Sequence, residues 1–295
     1  MTAKFGVCLP NFGKHLSPDA VSTVAAEAEE MGFSSVWATD HLIIPTTYKY
    51  PYGNILEALT TMTLAAAATE EVNIGSSVIV LPMREPVSVA KALAAIDVIS
   101  RGRVVAGFGA GWCEGEFKNL GQNFRNRGRR LDEAITLFRT LMKGGSVSFN
   151  GRYYTVQEGL FEPKPVQPNG PPVWVGGNSK AAFDRAVRLG DGWHFTGLSV
   201  EKAASLLENT KLREGFTVSG RFTVDLSGKS PKITRASSGE ERVILSGVPD
   251  EVSDMISDYV EKGVEYFVLY FGDKPVQEYV KEMQAFTRDV IPSYT

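Results

Sequence analysis

The chain has 295 residues, 43% hydrophobic and 22% charged, with a net charge of −3. That length suits one barrel-sized domain over residues 1–295, and the near-neutral charge gives a nucleic-acid partner no electrostatic support. No apolar run is long enough to cross a bilayer, and the opening MTAKFGVCLP reads as a strand rather than a signal peptide. Two cysteines without C-x-x-C spacing suggest neither a disulfide framework nor zinc, so the expectation is a cytoplasmic protein acting on a small molecule.

Lys4 to Leu9 reads as the first strand, followed by a turn containing Phe12. Ser17 and Pro18 start a helix lined by Val21, Val24, Ala28 and Met31 and stopped by Gly32. Ser34 to Ala38 is a second strand that delivers Asp40 and His41. A loop rich in Pro and Tyr runs from Ile43 to Gly53, and a second helix from Ile55 to Thr69. The stretch from Val72 to Trp112 then gives a strand, a helix and a strand. VNIGSSVIVLP is continuously apolar and β-branched, as in a strand buried on both faces. Pro86 opens a helix carrying Val89, Leu93, Ile96 and Ile99 at steps of three and four. RVVAGFGAGW is a second buried strand that dissolves into glycines, where a flat or charged ligand could approach bare backbone. Its Gly107, Gly109 and Gly111 do not form G-x-G-x-x-G, because Trp112 stands at the third glycine's place, so a dinucleotide fold is disfavoured.

Glu114 to Arg130 is expected as an acidic-to-basic loop, followed by a helix with Leu131, Ile135, Phe138 and Leu141. Asn150-Gly151 between two β-rich runs marks an inserted hairpin. A fifth strand, Pro172 to Val175, leads through Gly176, Gly177, Asn178 and Ser179 into a helix ending at Leu189. Asp191 to Phe195 is a sixth strand, with a helix from Ser199 to Arg213. Thr217 to Leu226 is a seventh, the polar stretch 227–239 is an inserted loop, and Arg242 to Ser246 reads as a short strand. A helix from Pro249 to Lys262, a strand from Val264 to Tyr270 and a last helix complete the chain. Eight strand–helix units predict an α/β fold, a single (β/α)8 TIM barrel, with a doubly wound open sheet as the alternative. In a barrel the active site lies where the strands end, and these candidate residues all fall there.

The turn from Gly176 to Ser179 opens a helix, where free amides and the dipole suit phosphate. His41 can exchange a proton, with Asp40 beside it as a possible partner, although neighbours on a strand point opposite ways. His15, His41 and His194 could suggest a metal hydrolase, but no two have ligand spacing, so no metal is expected. Trp112 and Trp193 are either core or the walls of a pocket for a flat group. Arg125, Arg127, Arg129 and Arg130 read as a solvated helix entrance from which one or two could reach an anion.

FGVCLPNFG, WATDHL, the stretch from NIGSSV to GFGAGW, EF-x-x-LG, RGRRLDEAI and GGNS…GDGW together resemble the luciferase-like flavin barrel superfamily. Most similar is its branch that uses the deazaflavin coenzyme F420. The likeness covers most of Phe5 to Trp193 and weakens after Leu198. It implies a TIM barrel oxidoreductase that passes a hydride between F420 and a small organic substrate. The alternative is an FMN-dependent reductase or monooxygenase; a barrel that binds a flavin-type ligand without turnover is a third reading. The resemblance assigns Ser77 and Val78 to a bend behind the ring, expected as a cis peptide, with Gly109, Ala110 and Gly111 beside it. It assigns the phosphate to the amides of Gly177, Asn178 and Ser179, and proton transfer to His41 with Asp40. Trp112, Trp193 and Phe12 are expected around the substrate, and the assembly as a homodimer. Sugar-phosphate dehydrogenases of the family carry a carboxylate where this chain has Trp112, which speaks against a two-residue acid/base mechanism here.

Overall fold

The computed structural model describes residues 2–294. Eight parallel strands close on themselves: β1 (Lys4–Cys8), β2 (Ser35–Ala38), β3 (Asn73–Ser76), β4 (Val104–Gly109), β5 (Val173–Gly176), β6 (Gly192–Thr196), β7 (Thr217–Asp225) and β8 (Tyr266–Tyr270). Closure comes from β7, which pairs with β6 through Ser219 opposite His194 and with β8 through Phe222 opposite Leu269. The outer layer is α1 (Pro18–Glu30), α2 (Ala58–Ala68), α3 (Pro86–Ile99), α4 (Arg127–Leu141), α5 (Lys180–Leu189), α6 (Val200–Leu207), α7 (Pro249–Glu261) and α8 (Val276–Asp289). The expected (β/α)8 barrel is therefore the observed one.

Local chemistry explains the helix starts. Ser17 caps α1 by accepting from the Ala20 amide at 3.0 Å. Glu85 caps α3 by accepting from Val87 and Ser88. The apolar stripe of α4, Leu131, Ile135, Phe138 and Leu141, is buried against the barrel. Helix α6 stops at Leu207, well before the expected Arg213, because Asn209 adopts the left-handed conformation at φ +60°. Arg213 instead turns back to Asp191.

The barrel interior is plugged at its amino-terminal end. Trp37 stacks on Trp174 at 5.0 Å and on His194 at 5.3 Å, and Val105, Tyr266 and Val268 complete the plug. Gly75 is required there, since a Cβ would lie 2.2 Å from the Trp37 ring. The candidate residues read from the sequence gather at the other mouth, where the strands end.

Three segments differ from the sequence reading. The loop expected over 114–130 contains a short helix, Glu114–Asn119, and its last residues, from Arg127, already belong to α4. In the hairpin, strands Gly145–Asn150 and Thr155–Phe161 pair with Asn150 opposite Thr155, so four residues make the turn rather than Asn150-Gly151. The reason is Glu133 of α4, whose carboxylate accepts from the amides of Arg152, Tyr153 and Tyr154. The stretch expected as an irregular loop over 227–239 contains a strand, Ile233–Arg235, antiparallel to Glu241–Ser246. The latter adds in parallel to β7 outside the barrel.

Candidate active site

A cleft of about 400 Å³ opens where the barrel strands end. Its back wall begins at the interruption of β3. The Ser77–Val78 peptide is cis, as expected, and Ile79–Val80 then rejoin the sheet beside Phe108 and Gly109. The glycines around this wall were expected to admit a ligand to the backbone. Instead Val78 takes the room they make. A Cβ on Gly109 would lie 2.5 Å from Val78 Cγ2, and one on Gly176 would lie 2.8 Å from Val78 Cγ1. Gly109, Ala110 and Gly111 still line the cleft beside Val78. The wall is pinned from behind: Ser77 Oγ bonds His194 Nε2 at 2.8 Å, and His194 Nδ1 bonds Ser219 Oγ at 2.9 Å. Burial and the Arg221 charge push the His194 pKa down to about 3, so it is a neutral strut.

The opposite rim is the start of α5. Ser179 caps the helix, accepting from Ala182 at 3.2 Å. Asn178 fastens the turn to β6 through both Thr196 N and Thr196 O, each at 2.9 Å. The Gly177 amide, expected to hold a phosphate, already donates to His194 O at 3.1 Å. The amides of Asn178 and Ser179 have no backbone acceptor among the described residues, and both residues face the cleft. Arg127 also lines it, but its guanidinium is held by Gly111 O and Phe124 O.

His41 stands at the third side. Its Nδ1 lies 2.9 Å from Glu116 Oε2, and Glu116 Oε1 accepts from the amides of Leu42 and Ile43. Burial alone would raise the Glu116 pKa. The His41 bond and charge and the two amides outweigh it and hold the carboxyl below its usual range. Glu116 is therefore the ionised partner, and the sequence reading missed it. Asp40, the expected partner, faces away from His41. Its oxygens take Arg84 at 2.6 Å and the Val80 amide at 2.9 Å, with no hydrogen bond to His41. Burial outweighs Arg84 and moves the Asp40 pKa up. The His41 ring is walled by Tyr52 at 4.6 Å and Trp112 at 5.9 Å.

Of the expected pocket residues, Trp193 sits elsewhere and Phe12 lines an adjoining chamber. Trp193 is fully buried, edge-on to Phe183, and donates from Nε1 to Gly177 O at 2.8 Å. Alternation explains this: His194 points into the barrel, so Trp193 must point out to the helices. Phe12 stacks on Tyr270 at 5.1 Å and lines a side chamber of about 150 Å³ rather than the main cleft. His15 pairs with Asp273 far from His41 and His194, so the three histidines do not converge.

Arg221 was also missed. It lies on the inward face of β7, two residues after Ser219, and donates to Ser77 O at 3.0 Å. Its register with Thr217, Ser219 and Thr223, the polar set that alternates with Val218, Phe222 and Val224, was the readable sign.

The chain is similar to the F420-dependent glucose-6-phosphate dehydrogenase of Amycolatopsis mediterranei, with 28% identity over 95% of each chain. It is 29% identical to the FMNH(2)-dependent dimethylsulfone monooxygenase of Pseudomonas putida, over 76% of this chain and 61% of the other. Its fold superposes on the F420-dependent tetrahydromethanopterin reductase of Methanopyrus kandleri with a TM-score of 0.82, covering 100% of both chains at 18% identity. The model of the luciferase-like monooxygenases matches residues 3–227, which take in the cis wall, the α5 turn and the His41–Glu116 pair; the chain belongs to the luciferase-like monooxygenase family.

Proposed function

We propose that the protein is an oxidoreductase that transfers a hydride between coenzyme F420 and a small organic substrate. The observation that carries this reading is one cleft holding a flat apolar wall at Val78, free amides at a helix start and a histidine backed by a buried carboxylate. The likeness to F420-dependent relatives supports it. The wall and the α5 amides suit a planar ring with an anionic tail.

When bound, the deazaflavin supplies two electrons as a hydride and leaves the proton to the protein. Ionised Glu116 accepts from His41 Nδ1, so the proton of the neutral ring resides on that nitrogen and Nε2 is the exchanging atom. In substrate oxidation Nε2 takes the hydroxyl proton, and Glu116 stabilises the imidazolium that results. In reduction the same nitrogen returns the proton. Asn178, Ser179 and the Val78 wall orient the reacting partners. Trp112 and Tyr52 restrict water around the imidazole. Because Trp112 replaces the carboxylate of sugar-phosphate dehydrogenases, glucose 6-phosphate is not carried over as substrate.

FMN is the alternative occupant, supported by the FMNH(2)-dependent relative. Fluorescence titration with F420 and FMN separates the two; failure to bind F420 sinks the first reading. Replacing His41 by Ala is expected to lower the single-turnover hydride rate about 10²–10⁴-fold with little change in coenzyme affinity. A rate within about threefold of wild type removes His41 from the proton path. The further proposals are a cytoplasmic homodimer, the dimer resting on the family likeness. Among the described residues no helix is long and apolar enough to cross a membrane, and Cys8 and Cys113 are both free thiols.

A further inference from the structure

Beside the main cleft lies the chamber of about 150 Å³, walled by Phe12, Tyr52, Phe222 and Tyr270. Arg221 and Arg242 line both spaces and so stand at their junction. Tyr52 also lines both, and its ring is 4.6 Å from that of His41. The chamber therefore opens beside the residue assigned to the proton.

Neither arginine has a carboxylate in ion-pair contact among the described residues. Arg221 donates to the Ser77 carbonyl, is hydrogen-bonded to the neutral Cys8 thiol, and has two aromatic neighbours, Phe12 and Tyr270, each 5.9 Å from the guanidinium carbon. Of the ionisable groups beside it, Tyr52 among them, none is a carboxylate, and burial pushes Cys8, Tyr270 and Tyr279 up, so these three stay neutral near pH 7. Arg242 keeps its Nε buried without any acceptor. A half-buried cation without a counter-charge is costly, and so is an orphaned donor. Two such groups at one junction are relieved together by an anion placed between them. Guanidinium geometry matches a carboxylate. The chamber's volume is that of a cavity which accepts a benzene ring, about 150 Å³.

We infer that this junction is the substrate's anion subsite, and that the substrate is a small carboxylate whose body, the size of one six-membered ring, fills the aromatic chamber. The inference rests on the cleft being the substrate site, as proposed above, and adds the substrate's chemical class.

Calorimetric titration of the full chain with benzoate and benzamide tests it. The two probes share a ring and differ in charge. Benzoate is expected to bind at least about tenfold more tightly than benzamide. Arg242→Gln and Arg221→Gln are each expected to remove most of that preference and leave benzamide binding unchanged. Arg242 sits on the added outer strand, so its variant still decides the matter if Arg221→Gln does not fold. Equal affinities for the two probes, no benzoate binding at millimolar concentration, or an unchanged preference in Arg242→Gln would overturn the subsite. F420 and FMN are titrated in parallel. Wild-type protein that prefers benzoate but binds neither coenzyme refutes the proposed function and keeps the subsite. Variants that lose coenzyme affinity but keep the benzoate preference assign the anion to the coenzyme and overturn the inference.

Discussion

Which nitrogen of His41 carries the proton is decided by Glu116, a residue 75 positions away. That distance explains why adjacency suggested Asp40 instead. Spacing along a strand reports which side chains share a face, and Asp40 and His41 do not. It says nothing of a carboxylate delivered by a six-residue helix beyond β4. Glu116→Gln is expected to lower the single-turnover rate about ten- to a hundredfold while KM stays within about threefold, since the imidazolium loses its counter-charge. The same substitution tests stability. The folded-state pKa of Glu116 lies below its ordinary value, so its stabilisation is present above about pH 4.3 and lost as pH falls through the depressed value. The melting temperature of wild type is expected to exceed that of Glu116→Gln at neutral pH, and the gap to close below about pH 4. A gap that is unchanged in acid would show that the charge of Glu116 does not contribute.

At the scale of elements, the fold makes the back wall of the cleft from a side chain seated on two glycines. Gly109→Ala forces a Cβ to within 2.5 Å of Val78 Cγ2. Overpacking of this kind costs about 1–3 kcal/mol, and the displaced valine projects into the cleft. The variant is expected to fold with a lowered melting temperature and to bind F420 at least about tenfold more weakly, as read by fluorescence. At the start of α5, Asn178→Asp removes the donor to Thr196 O and adds a negative charge beside the two unpaired amides. Coenzyme affinity is expected to fall by a similar factor, and stability by about 1–3 kcal/mol. The turn itself was legible, because glycines followed by Asn and Ser before an amphipathic run have few other structural uses. That the Gly177 amide is occupied was not, since its acceptor, His194 O, belongs to the next strand. Trp193 was readable in principle: once His194 faces inward, period two sends its neighbour outward.

For the molecule as a whole, eight alternating apolar strands and amphipathic helices were enough to read a closed barrel and the end that carries the chemistry. Glycine-rich strand ends, capped helix starts and short connections kept that register visible. After β7 the short strand ending at Ser246 was legible, but its partner Ile233–Arg235 was not, because polar residues with Gly and Pro pattern alike in a loop and in an edge ribbon. Yet that ribbon carries Arg242 to the cleft. A homodimer is expected to show by light scattering a mass about twice the 32.1 kDa of the chain, and a mass of one chain at micromolar concentration would refute it. Arg221 touches Ser77 O in the back wall of the cleft and also borders the aromatic chamber. A ligand that fixes this guanidinium from one side changes the free energy of binding on the other. By linkage the effect is symmetric: whatever factor the chamber's occupant imposes on coenzyme affinity, the coenzyme must impose on it in return. The order in which the two partners load is then a matter of their concentrations, since neither sequence of binding is built into the equilibrium.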